Sequence, residues 1–282
     1  MKRKFVEERI FRGLMLFSVA VVLFFVLSVI FSVFKRGIPV LTWEMITSLP
    51  GGGFYIGKEG GFLNAIVGSL YIVGASTLLG LVFSIPVVFY LNVYLRQDSK
   101  LGYVARLAFD VLFGIPSIVY GAFGFTVMIF FGLRASLLGG IIVVALLIIP
   151  ILIRSMDEVA KTFPKEILEA SYSLGATRIE TIGVVMRQIA PAIATATLLS
   201  IGRAIGDAAG VMFAAGFSDS IPTSLSQQTA TIPLSVFFQL SAPQIEVQNR
   251  AYAAAVVLTF IVLILSIGGR FITSRFSKNK VL

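Results

Sequence analysis

"EASYSLGATRIETIGVVMRQIAP", residues 169–191, is a polar interruption in a chain that otherwise reads as long apolar runs. Acids, bases and helix formers crowd into it, and greasy text resumes on its far side. A patterned polar insert between apolar runs is a segment held outside a membrane, so its reading decides how the rest is threaded. Taken with its lead-in, 154–190, it carries five bases (Arg154, Lys161, Lys165, Arg178, Arg187) and five acids (Asp157, Glu158, Glu166, Glu169, Glu180). Thr162-Phe163-Pro164 punctuates a helix start, with Glu166 early in the helix where an acid suits the dipole. Ile167, Leu168, Tyr172 and Leu174 recur at helical spacing. Gly175 permits a tight break, and Thr177 followed by Glu180 has the spacing of a capping box opening a second short helix. Such a helix–Gly–helix knuckle, with small residues at Ala170, Ser171 and Ala176, suits a groove on another protein. A merely solvated connector would read the same way.

Outward from the insert, six apolar runs reach the roughly 20 residues a bilayer-spanning helix needs. They are 14–34, 65–95, 107–131, 136–153, 191–215 and 252–271. The second is long enough to tilt or to bend at Pro86, and the third carries Gly114, Pro116, Gly121 and Gly124, which kink helices or let them approach closely. The chain is 57% hydrophobic and 13% charged, against about a quarter charged in soluble domains. The expectation is an all-α polytopic membrane protein, 1–282 forming one transmembrane domain in the lipid bilayer. The basic start, MKRKFVEERIFRG, precedes a run without a small-residue cleavage site, so the first span is read as retained.

Lysine and arginine set the orientation. Seventeen of the 23 fall on the side of the 154–190 insert and only Lys35, Arg36, Lys58, Arg134 and Arg250 on the other, which makes both termini cytoplasmic. The net charge of +9 therefore belongs to helix ends rather than to a nucleic-acid surface. External loops are expected at about 35–62 and 216–251, with "TIPLSVFFQLSAP" (231–243) a short amphipathic segment at the outer surface.

The inventory excludes much chemistry. There is no Cys and no His, which removes thiolates, imidazole bases and the usual zinc ligands, so neither a catalytic set nor a metal site is expected. "GGFYIGKE" (52–59) approaches a phosphate-cradling loop, but Glu59 stands where a magnesium-binding hydroxyl belongs and no strand precedes it. The chain is not expected to hydrolyse ATP, and no cofactor is called for.

One charge is out of place. "IGRAIGDAAG" (201–210) sets Arg203 twelve residues past Pro191, about 18 Å along a continuous helix. A charge at that depth costs at least about 2.5–3.5 kcal/mol. Asp207, at i+4, is placed to pair with it. The two could be an internal ion pair that holds helices together. Alternatively, Arg203 lines a pathway, forking onto an anion while Asp207 prevents overly tight binding. Gly202, Gly206 and Gly210 form a stripe along which another helix could approach.

The insert resembles the signature of ABC importer permeases, EAA-x3-G-x9-I-x-L-P. Glu169, Ala170, Ser171 and Gly175 stand at its matching positions, while Val185-Met186-Arg187-Gln188 replaces its end. "NAIVGSLYIV" (64–73), "GIPSIVYGAFG" (114–124) and "GRAIGD" (202–207) resemble the phosphate-importer permeases across about 60–275, with Asp207 in place of the family's Glu and without its following proline. The resemblance implies a type I importer permease (MetI-like) fold with its core at 60–275 and a coupling loop at 155–190. Implied partners are a dimer of P-loop ATPase subunits on the knuckle, a second six-span permease subunit, and an extracytoplasmic phosphate-binding protein. The missing proline implies a straighter fifth span. Sulfate, molybdate or an amino acid remain alternative cargoes, and an ATP-independent channel or a signalling scaffold an alternative class.

Overall fold

A computed structural model describes residues 2–51, 59–96, 98–162 and 164–277. The near-match to a phosphate-binding loop lies outside the described residues except for Glu59. Eleven helices and one two-stranded hairpin occur among them. In order these are α1 (Lys2–Gly37), α2 (Trp43–Thr47), β1 (Pro50–Gly51), β2 (Glu59–Gly60), α3 (Leu63–Phe89, running into a π turn at Tyr90–Tyr94) and α4 (Lys100–Gly114). They continue with α5 (Ser117–Phe130), α6 (Leu137–Lys161), α7 (Lys165–Ser173), α8 (Arg178–Ile205), α9 (Ala209–Ala214), α10 (Ile232–Leu240) and α11 (Ile245–Ser277). Five helices are long and apolar enough to cross a membrane: α1, α3 with its π turn, α6, α8 and α11. A sixth crossing is reached when α4 and α5 count as one span, bent by 101°.

α6 is the axis of the bundle. Of its apolar window 72% is buried, against none of that of α1. Val144, Ile148, Leu152, Ile153 and Met156 are each at most 2% exposed, packed on α3, α4 and α8. On the outer side, Met45, Phe62, Ala65, Ile232 and Ala254 gather α2, α10 and the outer ends of α3 and α11 into a second cluster. α10 is therefore half-buried in the bundle rather than laid on its surface, with the Ser69 hydroxyl of α3 accepting from the Ile232 amide at 2.9 Å. α1 stands apart. Between Glu7 and Phe31 every residue but Val21 is exposed, and its outer end alone grips α11, through Phe34 on Phe260 and Arg36 over Tyr252.

Two of the predicted spans are broken rather than continuous. In the third, Pro116 bars Ile115 from helical geometry; Ile115 is extended (φ −72°, ψ 131°) and α4 stops. The Tyr120 hydroxyl donates to the Leu112 carbonyl at 2.9 Å, a strut across the bend. In the fifth, the helix begins at Arg178, so the expected second short helix is the end of a 28-residue rod that runs through Pro191. It then stops at Ile205, and three non-helical residues precede α9. The fifth span, read as continuous from the sequence, is thus broken: α8 is capped at Gly206 with no proline there.

The glycines of α5 do what small residues in membrane helices do. A Cβ on Gly121 would sit 2.7 Å from the Gly210 carbonyl oxygen of α9, a backbone atom with no rotamer to escape into. Gly121→Ala is expected to cost about 1–3 kcal/mol, read as a lowered thermal midpoint in detergent. Gly114→Ala, with nothing within 4 Å, should leave that midpoint unchanged or slightly higher.

Candidate functional site

The two helix breaks meet. α9 packs on α5 and α6, and Gly210, at the start of α9, lies against the Ser117 carbonyl at the start of α5. The Ala214 carbonyl, at the far end of α9, accepts from the Ser136 amide that caps the outer end of α6. Six helical residues, about 9 Å of helix, separate that point from Ala208. Within a bilayer, non-helical backbone is tolerated only inside protein or along a water-filled cavity.

Arg203 and Asp207 flank the break in α8, and it is the break that separates them. The i+4 pairing needs an unbroken helix, and among the described residues Arg203 forms no ion pair with Asp207. The Asp207 carboxylate instead accepts from the Gly210 amide at 2.8 Å, at the N-terminal end of α9. Arg203 sits in the last turn of α8. Each charge is thus placed at the helix end whose dipole favours it. The Arg203 side chain is exposed on this chain. Gly202 has nothing within 4 Å of a Cβ position and Gly206 has only the Gly202 carbonyl, so the expected stripe meets a neighbour only at Gly210. Arg203, Asp207 and Tyr120 therefore gather around one junction, with Arg203 facing away from the chain's own core.

The knuckle forms as its punctuation predicts, although Thr162 caps the end of α6 rather than opening α7. Gly175 takes φ +81°, and the amides of Gly175 and Ala176 donate back to the carbonyls of Tyr172 and Ser171, a left-handed helix stop that glycine accepts without strain. The capping box is complete. Thr177 accepts from the Glu180 amide, and Glu180 accepts from the Thr177 amide at 2.7 Å. Ser171 shares a 3.3 Å hydrogen bond with Thr181, tying α7 to α8. Glu169, Ala170 and Gly175 are exposed and Ser171 is half-buried. Leu174 and Ile179, 90% and 73% exposed, form an apolar tip.

Sequence reasoning missed one cluster entirely. Asp157, near the end of α6, receives Arg106 of α4 bidentately (2.9 and 3.1 Å), Asn92 of the π turn (2.8 Å) and Lys161 (2.7 Å). Its members lie 14 and 51 residues apart, so no local pattern joins them. What the sequence did offer was a carboxylate on an otherwise apolar helix face.

Comparisons with known proteins decide the family. Residues 77–279 match the model of the binding-protein-dependent transport system inner membrane component. The phosphate transport system permease protein PstA of Haemophilus influenzae is 30% identical, over 93% of this chain and 92% of that protein. The PstA of Pasteurella multocida is 33% identical over 91% and 90%. The chain belongs to the PstA family of binding-protein-dependent transport permeases. A solved structure of the MetNI methionine ABC transporter, inward facing, shares the permease's fold at TM-score 0.62 and 18% identity, covering 76% of this chain and 95% of that one. The permease is accordingly an all-α, multi-pass membrane protein of the type I importer class, of a family of inner membrane components.

Proposed function

We propose that this permease forms, with a second six-span permease subunit, the translocation pathway of an ATP-driven inorganic phosphate importer. It would sit in the inner membrane with both termini in the cytoplasm and take cargo from a soluble phosphate-binding protein outside. The observation that carries this reading is Arg203: an exposed guanidinium in the last turn of an apolar spanning helix, with no ion pair of its own among the described residues, at the junction of two broken helices. Facing lipid it would be costly; facing a partner across an aqueous cavity it would be an anion site. The names of the PstA relatives support phosphate as the cargo.

On this reading Arg203 forks onto a tetrahedral oxyanion. Asp207, fixed by the Gly210 amide, adds a negative boundary that speeds release. Hydrolysis belongs to a dimer of ATPase subunits, and the segment 155–190 couples to them through Glu169, Ala170, Ser171 and Gly175. The 28-residue α8 makes the coupling mechanical, since one rod of about 42 Å carries the capping box at its start and Arg203 near its end. Movement of the knuckle is therefore movement of Arg203.

The test is uptake by proteoliposomes holding the permease with its partner subunits, ATP inside and binding protein outside. ATP-dependent accumulation of labelled phosphate, without accumulation of sulfate or molybdate, is expected. Accumulation of another oxyanion in its place would keep the importer and discard the cargo; equilibration without ATP would favour a channel.

A further inference from the structure

We infer that the Arg106–Asp157 ion pair is a latch that transmits movement of the cytoplasmic segment to the broken α4–α5 span. The inference rests on the importer reading above.

The pair has the geometry of a joint. Arg106 and Asp157 are 22% and 6% exposed, bound by two parallel hydrogen bonds. One turn along, Asp110 meets Arg154 at 3.2 Å, so α4 and α6 are clasped twice with matched spacing. The exposed outer clasp adds little energy, and the buried inner one fixes register. The π turn completes the joint. In it the Leu95 amide donates to Tyr90 rather than to Leu91, which leaves the Leu91 carbonyl to accept from Arg106 at 3.2 Å. A π turn at the end of a long helix is a recurrent mark of a functional adjustment. Asp157 sits one turn before the end of α6, which leads directly into the α7 knuckle. From Arg106 the path runs along α4 to Leu112 and across the Tyr120 strut to α5, where Gly121 packs on Gly210 of α9.

A purely cohesive role would be served as well by apolar side chains. Replacing a buried ion pair by hydrophobic residues of similar volume is often neutral or stabilising, whereas removing one partner strands a buried charge. The latch is therefore best removed as a pair. The chain has no cysteine, so labels can be introduced without background. Spin labels at Phe123→Cys on α5 and Ile264→Cys on α11, both well exposed, report the α5 position in the assembled complex. With the native pair, nucleotide is expected to change the interlabel distance. In the double variant Arg106→Met/Asp157→Leu, the complex should assemble and hydrolyse ATP at a rate within about twofold of the native one. The nucleotide-driven distance change should disappear, and phosphate imported per ATP should fall by about tenfold or more. The charge-reversed pair Arg106→Asp/Asp157→Arg should restore part of both. A distance change that survives in the double variant overturns the latch, and so does failure of that variant to assemble, which would make the pair a fold staple. If the native complex moves no phosphate yet needs the pair for the distance change, the cargo assignment fails and the latch stands.

Discussion

Arg203→Gln is expected to lower phosphate uptake by about a hundredfold while the complex still assembles and still hydrolyses ATP. The substitution leaves a shorter, neutral polar side chain and deletes the charge and the fork. No internal ion pair is lost, because among the described residues Arg203 has none with Asp207, so folding carries little of the effect. Arg203→Lys separates charge from geometry, since an ammonium keeps the attraction without bidentate recognition and should transport at an intermediate rate. Normal uptake by the Gln variant would make Arg203 a helix-end charge serving the dipole of α8 and nothing more. Uptake and assembly lost together would point to a subunit contact.

The second large effect concerns the knuckle. Leu174→Asp is expected to weaken retention of the ATPase subunits by about thirtyfold, measured by co-purification or titration, with transport lost in proportion. Leu174 is 90% exposed, so burying it on folding contributes nothing to this chain and its replacement should leave the thermal midpoint of the isolated permease unchanged. An apolar side chain left in water at the tip of a tightly stopped helix makes physical sense when a pocket elsewhere receives it. Undiminished ATPase binding by the Asp variant would return α7 to the role of a solvated connector.

The parts of this fold legible in the sequence were those with local causes. The spans follow from apolar length, the knuckle from Gly175 and the Thr177–Glu180 box, and the break after α4 from the effect of Pro116 on Ile115. Arg203 stood out because a charge within an apolar run is costly wherever the run goes. Its supposed bond to Asp207 failed because i+4 arithmetic assumes an unbroken helix, and α8 ends at Ile205. The end of α8 was illegible since it depends on α5 and α6 receiving α9, through Gly121 and Ser136, far away in the chain. The latch was illegible for the same reason: a patterned carboxylate at 157 says that a partner must exist and not which one.

The bend between α4 and α5 also bears on how the chain is made. The two halves are 15 and 14 residues long, each short of the roughly 20 that cross a bilayer. The close-packed face at Gly121 finds its complement in α9, and Gly210 is synthesised nearly ninety residues later than Gly121. This segment thus leaves the ribosome as a span that is not yet one. Its packed face at Gly121 is completed only after α9 emerges. A truncation just before residue 209 would then leave the apolar face of α5 uncovered, where quality-control proteases find their substrates.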